Sequence, residues 1–367
     1  MGKDLTDEHQ TVRPSLGLIP LRWKVIQTVC EKFSRRACET ITQPPVPFHP
    51  IARGRAGPQL LATILEAKFG QHLPLNRLSD GFAREGSTST ERLLILDIET
   101  VPNLDAGRRL LGLLSATDAE VRAGMIEHCR RKGQTDDEVF IKPALQKLVA
   151  LAFVEASRDE HRAPWKTHRI VSASTARHGE GRIIERLAAA LDTEPLPVIV
   201  GWNTSGFDLP ILRYRAMALS LSVRPLMFRY PEEAPKWRWP EHPKPRDYWK
   251  RYGDDHIDLM DLLSGYGAST RTSLNEIAAV LGLPGKIDGM DGSKVEEAAI
   301  AGRHDEICRY CEADTVMLYC AWLRYQLAAG DLTPESHAAS LASLGEGIDE
   351  MGENGAHLAA FGALRAA

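Results

Sequence analysis

From about residue 92 onward, apolar positions fall into short runs whose spacing switches between that of strands and that of helices. LLILD (93–97), KLVALAFVEA (147–156) and HRIVSAS (168–174) are β-branched or apolar runs and predict three successive strands. GRIIERLAAAL (181–191) repeats its apolar residues at helical spacing, PVIVGWN (197–203) predicts a buried strand, and LPILRYRAMAL (209–219) a further helix. After a long polar stretch, HIDLMDLL predicts a strand, SLNEIAAVLGL a helix opened by Ser273, and a last long helix should run from about Asp305 to Leu327. Early strands followed by alternating helix and strand predict an α/β fold, a mixed sheet with helices on both faces. Residues after 330 are rich in Ala, Gly and acids and predict a short helix or a loose tail.

The first 91 residues lack this alternation. QPPVPFHPIARGRAGP is too rich in proline for helix or central strand, one amphipathic helix is expected at 59–69, and REGSTSTER reads as a polar linker. The expected division is therefore an irregular N-terminal extension and linker (1–91), an α/β domain (92–330) and a C-terminal helix or tail (331–367).

Composition bounds the function without naming it. A chain of 367 residues that is 43% hydrophobic can build one large core or two ordinary ones. No run approaches the roughly 20 apolar residues of a membrane span, and the N-terminus is too polar for a signal peptide, so a cytoplasmic protein without membrane contact is expected. Six scattered cysteines form no disulfide framework, which suits a reducing compartment. A net charge of -4 offers nucleic acid no global attraction, so any such binding needs local patches.

The chemistry starts where the strand 93–97 ends, in DIETVPN. Asp97 and Glu99 are one residue apart and fall on the same face of a strand. Carboxylates so placed repel, and both stay charged only with a cation between them; the plain alternative is that they cap the next turn. A third acid, Asp208, follows the strand 197–203 in GWNTSGFDLP, where it could equally be a helix cap. Tyr310 and Asp314 stand four residues apart in RYCEADTVML, on one face of the last helix.

Taken together, D-I-E, N-x-x-x-F-D and Y-x-x-x-D over residues 92–330 resemble the three motifs of the DEDD 3'→5' exonucleases, tyrosine subtype, which have a ribonuclease H-like fold. DIETVPN, HIDLMDLLSGYGAS and GLPGK make the chain similar to bacterial proteins resembling the exonuclease domain of family B DNA polymerases. The resemblance implies that Asp97, Glu99, Asp208 and Asp314 hold two Mg²⁺ or Mn²⁺ ions, which favour oxygen ligands. It implies that Tyr310 orients a water, and that the substrate is a single-stranded DNA or RNA end cut to nucleoside monophosphates. Thr100, Asn203 and Phe207 are candidate contacts to the terminal nucleotide. Two rivals are an exoribonuclease resembling ribonuclease D and a non-catalytic nucleic-acid-binding protein of transposon origin; protein partners are not indicated.

A second resemblance covers residues 20–86, which look like the zinc-finger end and following segment of a bacterial insertion-sequence transposase. Arg35 stands where the family's C-x-x-C has its first cysteine, and only Cys38 remains. A closed zinc site needs four ligands, so no metal is expected there, and the segment reads as a truncated remnant or a residual DNA-binding arm.

Other features stay open on sequence alone. RPLMFRYPEEAPKWRWPEHPKPRDYWKRYGDD interleaves eight cations, among them Arg251, with seven aromatic rings, among them Trp237 and Trp239. Cations can track a phosphate backbone while rings stack on bases, or the rings can simply pack on the sheet. Cys308 and Cys311 form a C-x-x-C that reads as helix packing. Asp258 and Asp261 suit either a supporting role at the acids or a turn, and Lys286 either a phosphate contact or a solvated loop.

Overall fold

The computed structural model divides into two units, Met1–Ser89 and Thr90–Ala367. It describes residues 58–70, 72, 74, 90–136, 139–228, 246–285 and 289–366, together with the backbone of three N-terminal strands.

In the first unit, β1 (Leu5–Ile19) and β2 (Arg22–Arg35) form an antiparallel hairpin, and β3 (Thr40–Thr42) pairs with the end of β2. These strands lie within the segment expected to be an irregular extension. The β-branched residues of WKVIQTV have the strand preference that the neighbouring proline-rich stretch conceals. Helix α1 (Pro58–Leu65) continues into a π turn over Glu66–Gly70, on the segment predicted to be helical. Cys38 lies outside the described residues.

The second unit is built on β4 (Glu91–Pro102), β5 (Gln146–Arg158), β6 (Lys166–Ser174), β7 (Val198–Gly201) and β8 (His256–Asp258), in the order β6-β5-β4-β7-β8. β6, β5 and β4 pair antiparallel, whereas β4, β7 and β8 pair parallel. This is the mixed sheet flanked by helices that the sequence predicts. β4 is central and covered on both faces, which is why it reads as an unbroken apolar run. Leu93 and Ile95 enter one core with Val316 and Met317, while Leu94, Leu96 and Ile98 enter the other with Ile184, Leu187 and Leu209.

Between β4 and β5 lie two helices that the coarse periodicity did not single out, α2 (Leu104–Leu111) and α3 (Asp118–Cys129). Thr117 and Glu120 form a reciprocal cap on α3, and Gly107 is required where the helices meet, since a Cβ there would fall 2.4 Å from Met125 Sδ. The other face of the sheet carries α4 (Glu180–Leu191) and α5 (Asp208–Ala218). β8 is shorter than HIDLMDLL suggests: the Asp258 carboxylate accepts from Asp261 N–H and starts α6 (Leu259–Leu263). α7 (Leu274–Leu281) begins at Ser273 with a full capping box, as predicted. α8 (Val295–Ile300) leads into α9 (His304–Ala329), whose 26 residues span about 39 Å.

The C-terminal segment is no tail. α10 (Pro334–Glu350) is capped by Thr333 and puts Leu341, Leu344 and Ile348 into the same core as Val316, joined by Leu358 and Phe361 beyond it. β6 is an edge strand, and its neighbourhood is finished by this helix: Trp165 N–H donates to Ser340 Oγ at 2.9 Å and Thr167 N–H to Ser343 Oγ at 3.0 Å. Gly347 lets the helix approach, because a Cβ there would meet Thr167 at 3.3 Å. The small residues that look like loose composition are thus what lets α10 sit against the sheet, and the expected boundary at 330 is replaced by a unit running to Ala367. Among the described residues no helix is long and apolar enough to cross a membrane.

A chain beginning at Thr90 and ending at Ala367 should fold without the first unit, keeping its circular-dichroism spectrum and a cooperative thermal transition. An insoluble product, or a melt without a transition, would mean that the first 89 residues belong to the fold of the second unit.

Candidate active site

The end of β4 is open on one side. β7 pairs only with Leu93–Ile95 and stops at Gly201, so the strand edge beyond Ile95 has lost its parallel neighbour. Asp208 fills that position as the first residue of α5, accepting a hydrogen bond from Ile98 N–H. On β4 itself, Asp97 lies opposite Ala152 and Glu99 opposite Ala150. Both partners are fully buried alanines, so little side-chain volume occupies the face between the two acids and the helix above. The register shifts by one residue between Glu99 and Thr100, the bulge that ends regular pairing next to the acids.

The approach of Asp208 is fixed by a loop that the sequence marks only by GWNTSGFD. Asn203 is left-handed, with φ 60°, and its N–H donates to Asp258 Oδ1 at 2.9 Å while Ser205 N–H donates to Asp258 Oδ2 at 2.9 Å. Thr204 Oγ1 lies 2.8 Å from His256 Nε2, and Gly201 makes room for Thr204, since a Cβ there would fall 1.9 Å from its methyl. Burial, and then the Arg213 charge, push His256 down to about 4, so it stays neutral beside Thr204. Asp258 serves both of its open readings: it caps the start of α6, and it anchors the loop that delivers Asp208, on which its charge also acts.

From the opposite face comes α9, carrying Tyr310 and Asp314 one turn apart. The Tyr310 hydroxyl hydrogen-bonds the Asp314 carboxylate, and burial followed by the charges of Asp314 and Glu99 raises its pKa, so the hydroxyl stays protonated. Asp97 feels Glu99, Asp208 and Asp314 together; burial first, then these three charges, hold its carboxyl well above the usual range. Asp208 is 2% exposed, and burial pushes it up to about 8. Its Oδ1 has no hydrogen-bond partner. The five residues of the D-I-E, F-D and Y-x-x-x-D motifs thus converge on one spot.

This arrangement fits a divalent cation. Ligand atoms of Asp97 and Glu99 lie within 4.8 Å of each other, and two like charges that close near a protein surface repel by at least about 3 kcal/mol, more than a hydrogen bond of about 1 kcal/mol returns. A cation reverses that sign, and an orphaned, buried carboxylate oxygen on Asp208 is a ligand atom already stripped of water. The donor set is all oxygen apart from one thiol, Cys311, which donates to Asp97 O and Asp97 Oδ2 at 3.5 Å each. The sequence left Cys311 to helix packing; only its position directly after Tyr310 hinted at more.

The remaining candidates divide. Thr100 follows the acids at the bulge, and Phe207 tilts against the ring of Phe140 with centroids 5.4 Å apart. Phe140 is 60% exposed, whereas Phe207, directly before Asp208, is partly buried against the core. The Asn203 side chain folds over Gly206, where a Cβ would meet its Oδ1 at 2.8 Å. Trp237, Trp239 and Lys286 lie outside the described residues. Over 246–252 the packing reading holds for Arg246, which pairs with Asp255 at 2.8 Å, and for Tyr248, whose buried hydroxyl donates to Pro197 O. Arg251 is a correction to its expected place on the substrate: it makes two bonds to Asp261, at 2.6 and 2.8 Å, and so serves the fold.

Cations also border Tyr310 on α9. A cavity of about 330 Å³ is bordered by Tyr310, Arg309, Lys294, Arg303 and Glu306. Arg303 pairs with Glu306 and Glu297, and Lys294 donates to Gly289 O, but Arg309 has no acidic partner among the described residues. Only its adjacency to Tyr310 marks Arg309 in the sequence.

Comparison with known proteins assigns the two parts of the chain separately. The Transposase IS66 family model matches residues 53–102. Two uncharacterized proteins of Sinorhizobium fredii (strain NBRC 101917 / NGR234) are similar over short stretches. y4hP is 54% identical over 92 residues, which is 24% of this chain and 17% of that protein; y4jD is 35% identical over 80 residues, 22% and 16% respectively. The chain thus spans less than a fifth of either relative. Among solved structures, the family B DNA polymerase from the hyperthermophilic archaeon Pyrobaculum calidifontis aligns with a TM-score of 0.39 at 18% identity, over 75% of this chain and 29% of the polymerase. The model described as "Predicted 3'-5' exonuclease related to the exonuclease domain of PolB" matches residues 138–364. That range contains Asp208, Tyr310 and Asp314 and starts after Asp97 and Glu99, which the sheet supplies to the same spot. With well over half of its length matched, the chain belongs to the family of exonucleases related to the exonuclease domain of PolB.

Proposed function

We propose that the protein removes nucleoside monophosphates from the 3' end of single-stranded DNA or RNA, in a reaction that depends on two Mg²⁺ or Mn²⁺ ions. The observation that supports this most is the meeting of Asp97, Glu99, Asp208 and Asp314, from one strand and two helices on opposite faces of the sheet, around a spot where their charges oppose one another.

Asp97, Glu99, Asp208 and Asp314 would hold the ions, which when bound supply positive charge to the phosphodiester and lower the pKa of water. Tyr310 stays protonated and hydrogen-bonded to Asp314, so it is a poor base; its work is to hold the attacking water in line with the phosphorus. In the reaction an oxygen–phosphorus bond forms from water, the bond to the 3' oxygen breaks, and that oxygen takes up a proton. Arg309 stands beside Tyr310 with its guanidinium available to a phosphate, and the exposed Phe140, backed by the partly buried Phe207, offers a ring on which a terminal base can stack.

Direction and sugar preference are read together from matched DNA and RNA oligonucleotides labelled at either end. A 3' label should be released at once as a mononucleotide and a 5' label should give a ladder; the reverse pattern would overturn the polarity. Asp97→Asn and Asp314→Asn should each remove nearly all hydrolysis with the circular-dichroism spectrum intact, and near-parental rates would sink the assignment. Tyr310→Phe keeps the ring and deletes only the hydroxyl, so single-turnover cleavage should fall about 10²–10⁴-fold with substrate affinity little changed.

pH enters through the raised carboxyls. In the metal-free protein, Asp208 holds a proton up to about 8, whereas the unfolded chain releases it near 3.8. Stability of the metal-free protein should therefore fall as pH rises between those values, because the folded state binds more protons. A cation selects the ionised form, so Mn²⁺ binding should tighten over the same range and release protons. Thermal melts at pH 6 and pH 8, with Mn²⁺ or with chelator, should show the larger Mn²⁺ stabilisation at pH 8. Equal shifts would mean that Asp208 does not ligate. Arg309→Ala should raise KM with kcat nearly unchanged and make the salt dependence of binding shallower. A fall in kcat alone would remove Arg309 from the substrate path.

A further inference from the structure

Cys311 is fully buried, yet it faces acids rather than the apolar core. Its Sγ, a carboxylate oxygen of Asp97 and one of Glu99 all lie within 4.8 Å of one another. Zn–S bonds of about 2.3 Å and Zn–O bonds of about 2.0–2.2 Å put the ligands of a tetrahedral ion roughly 3.5 Å apart, the spacing that Cys311 Sγ and Asp97 Oδ2 already have, and the Glu99 oxygen closes on them from within 4.8 Å. A second observation points to a cation independently of the thiol: Asp208, 2% exposed and acting electrostatically on Asp97, has an oxygen with no hydrogen-bond partner.

Hard and soft cations differ in what they make of this set. Mg²⁺ and Mn²⁺ prefer carboxylate oxygen and water, and beside them Cys311 keeps its proton and its hydrogen bond to Asp97. Zn²⁺ and Cd²⁺ take thiolate, and a thiol that ligates them is deprotonated outright.

We propose that Cys311 makes the acid centre a trap for thiophilic divalent cations, which it holds together with Asp97 and Glu99 in a state that does not support hydrolysis. The S–H bond breaks, a sulfur–metal bond forms, the proton passes to solvent, and no electron is transferred. The Asp97 carboxylate, otherwise shared with Asp208 and Asp314, is then tied to a cation drawn toward α9. This rests on the reading of the acids as a cation site.

The test is a Cd²⁺ titration of the full chain, followed by the ultraviolet thiolate-to-cadmium charge-transfer band, beside Zn²⁺ inhibition of Mn²⁺-supported cleavage. The wild type should show one band at stoichiometric Cd²⁺. Cys311→Ser should lose that step, and Glu99→Gln should weaken it, which a thiol elsewhere in the chain would not do. Relative to each protein's own uninhibited rate, half-inhibition of Cys311→Ser should need at least about tenfold more Zn²⁺. Cadmium NMR of the wild type, expected to report one sulfur among oxygen ligands, keeps the test open if the serine variant fails to fold. An all-oxygen cadmium signal, an unchanged band in Cys311→Ser, or equal Zn²⁺ sensitivity would overturn the trap. Absence of cleavage by the wild type with Mn²⁺ would instead strike the proposed function, and the cadmium measurements would still decide about Cys311.

Discussion

Like charges crowded at the end of β4 are the constraint around which this unit is organised. Asp97 and Glu99 point from the same strand face, Asp208 enters from the side where β7 has stopped, and Asp314 descends on α9. Without a cation, the cheapest response is to keep protons on Asp97 and Asp208, which is the direction in which both carboxyls are held. Gathering these acids costs free energy that each would not incur in water, which is the pattern of a functional site rather than of a packing solution.

The surroundings keep the acids together against that repulsion. β4 is buried on both faces and tied to β5 along its whole length, so Asp97 and Glu99 cannot retreat with their backbone. Asp258 holds the loop before Asp208 by two backbone N–H groups, and it does so from β8, the neighbour of β7. α9 is held by the core it shares with β4 and by α10, whose serines meet the backbone beside and within β6. Polar partners therefore sit behind the acids, and the side of Tyr310 is left to Arg309 and the cavity.

Tyr310 and Cys311, consecutive on α9, divide the cluster between them. The hydroxyl bonds Asp314 and the thiol bonds Asp97. Adjacent helical residues point about 100° apart, so one helix reaches two acids supplied by different elements. The same adjacency places an oxygen donor on one side of the acids and a sulfur donor on the other.

What the sequence determined by itself was whatever depends on short-range periodicity. The two-residue spacing of Asp97 and Glu99 put them on one strand face, the four-residue spacing of Tyr310 and Asp314 put them on one helical face, and Ser273 with Glu276 marked the start of α7. The strands of the N-terminal hairpin and the packing of α10 against the sheet escaped that reading, because proline-rich composition hides strand preference in one case and Ala/Gly-rich composition hides close packing in the other. Which side chains are already engaged was decided only by tertiary structure. Arg251 and Asp261 pair across ten residues, Asn203 and Asp258 across 55, and Cys311 and Asp97 across 214. Those pairings follow from the order of strands in the sheet and the path of α9 over it. Local spacing cannot encode them, because the same acid, cation or thiol can serve either the fold or the site until its partner is brought to it.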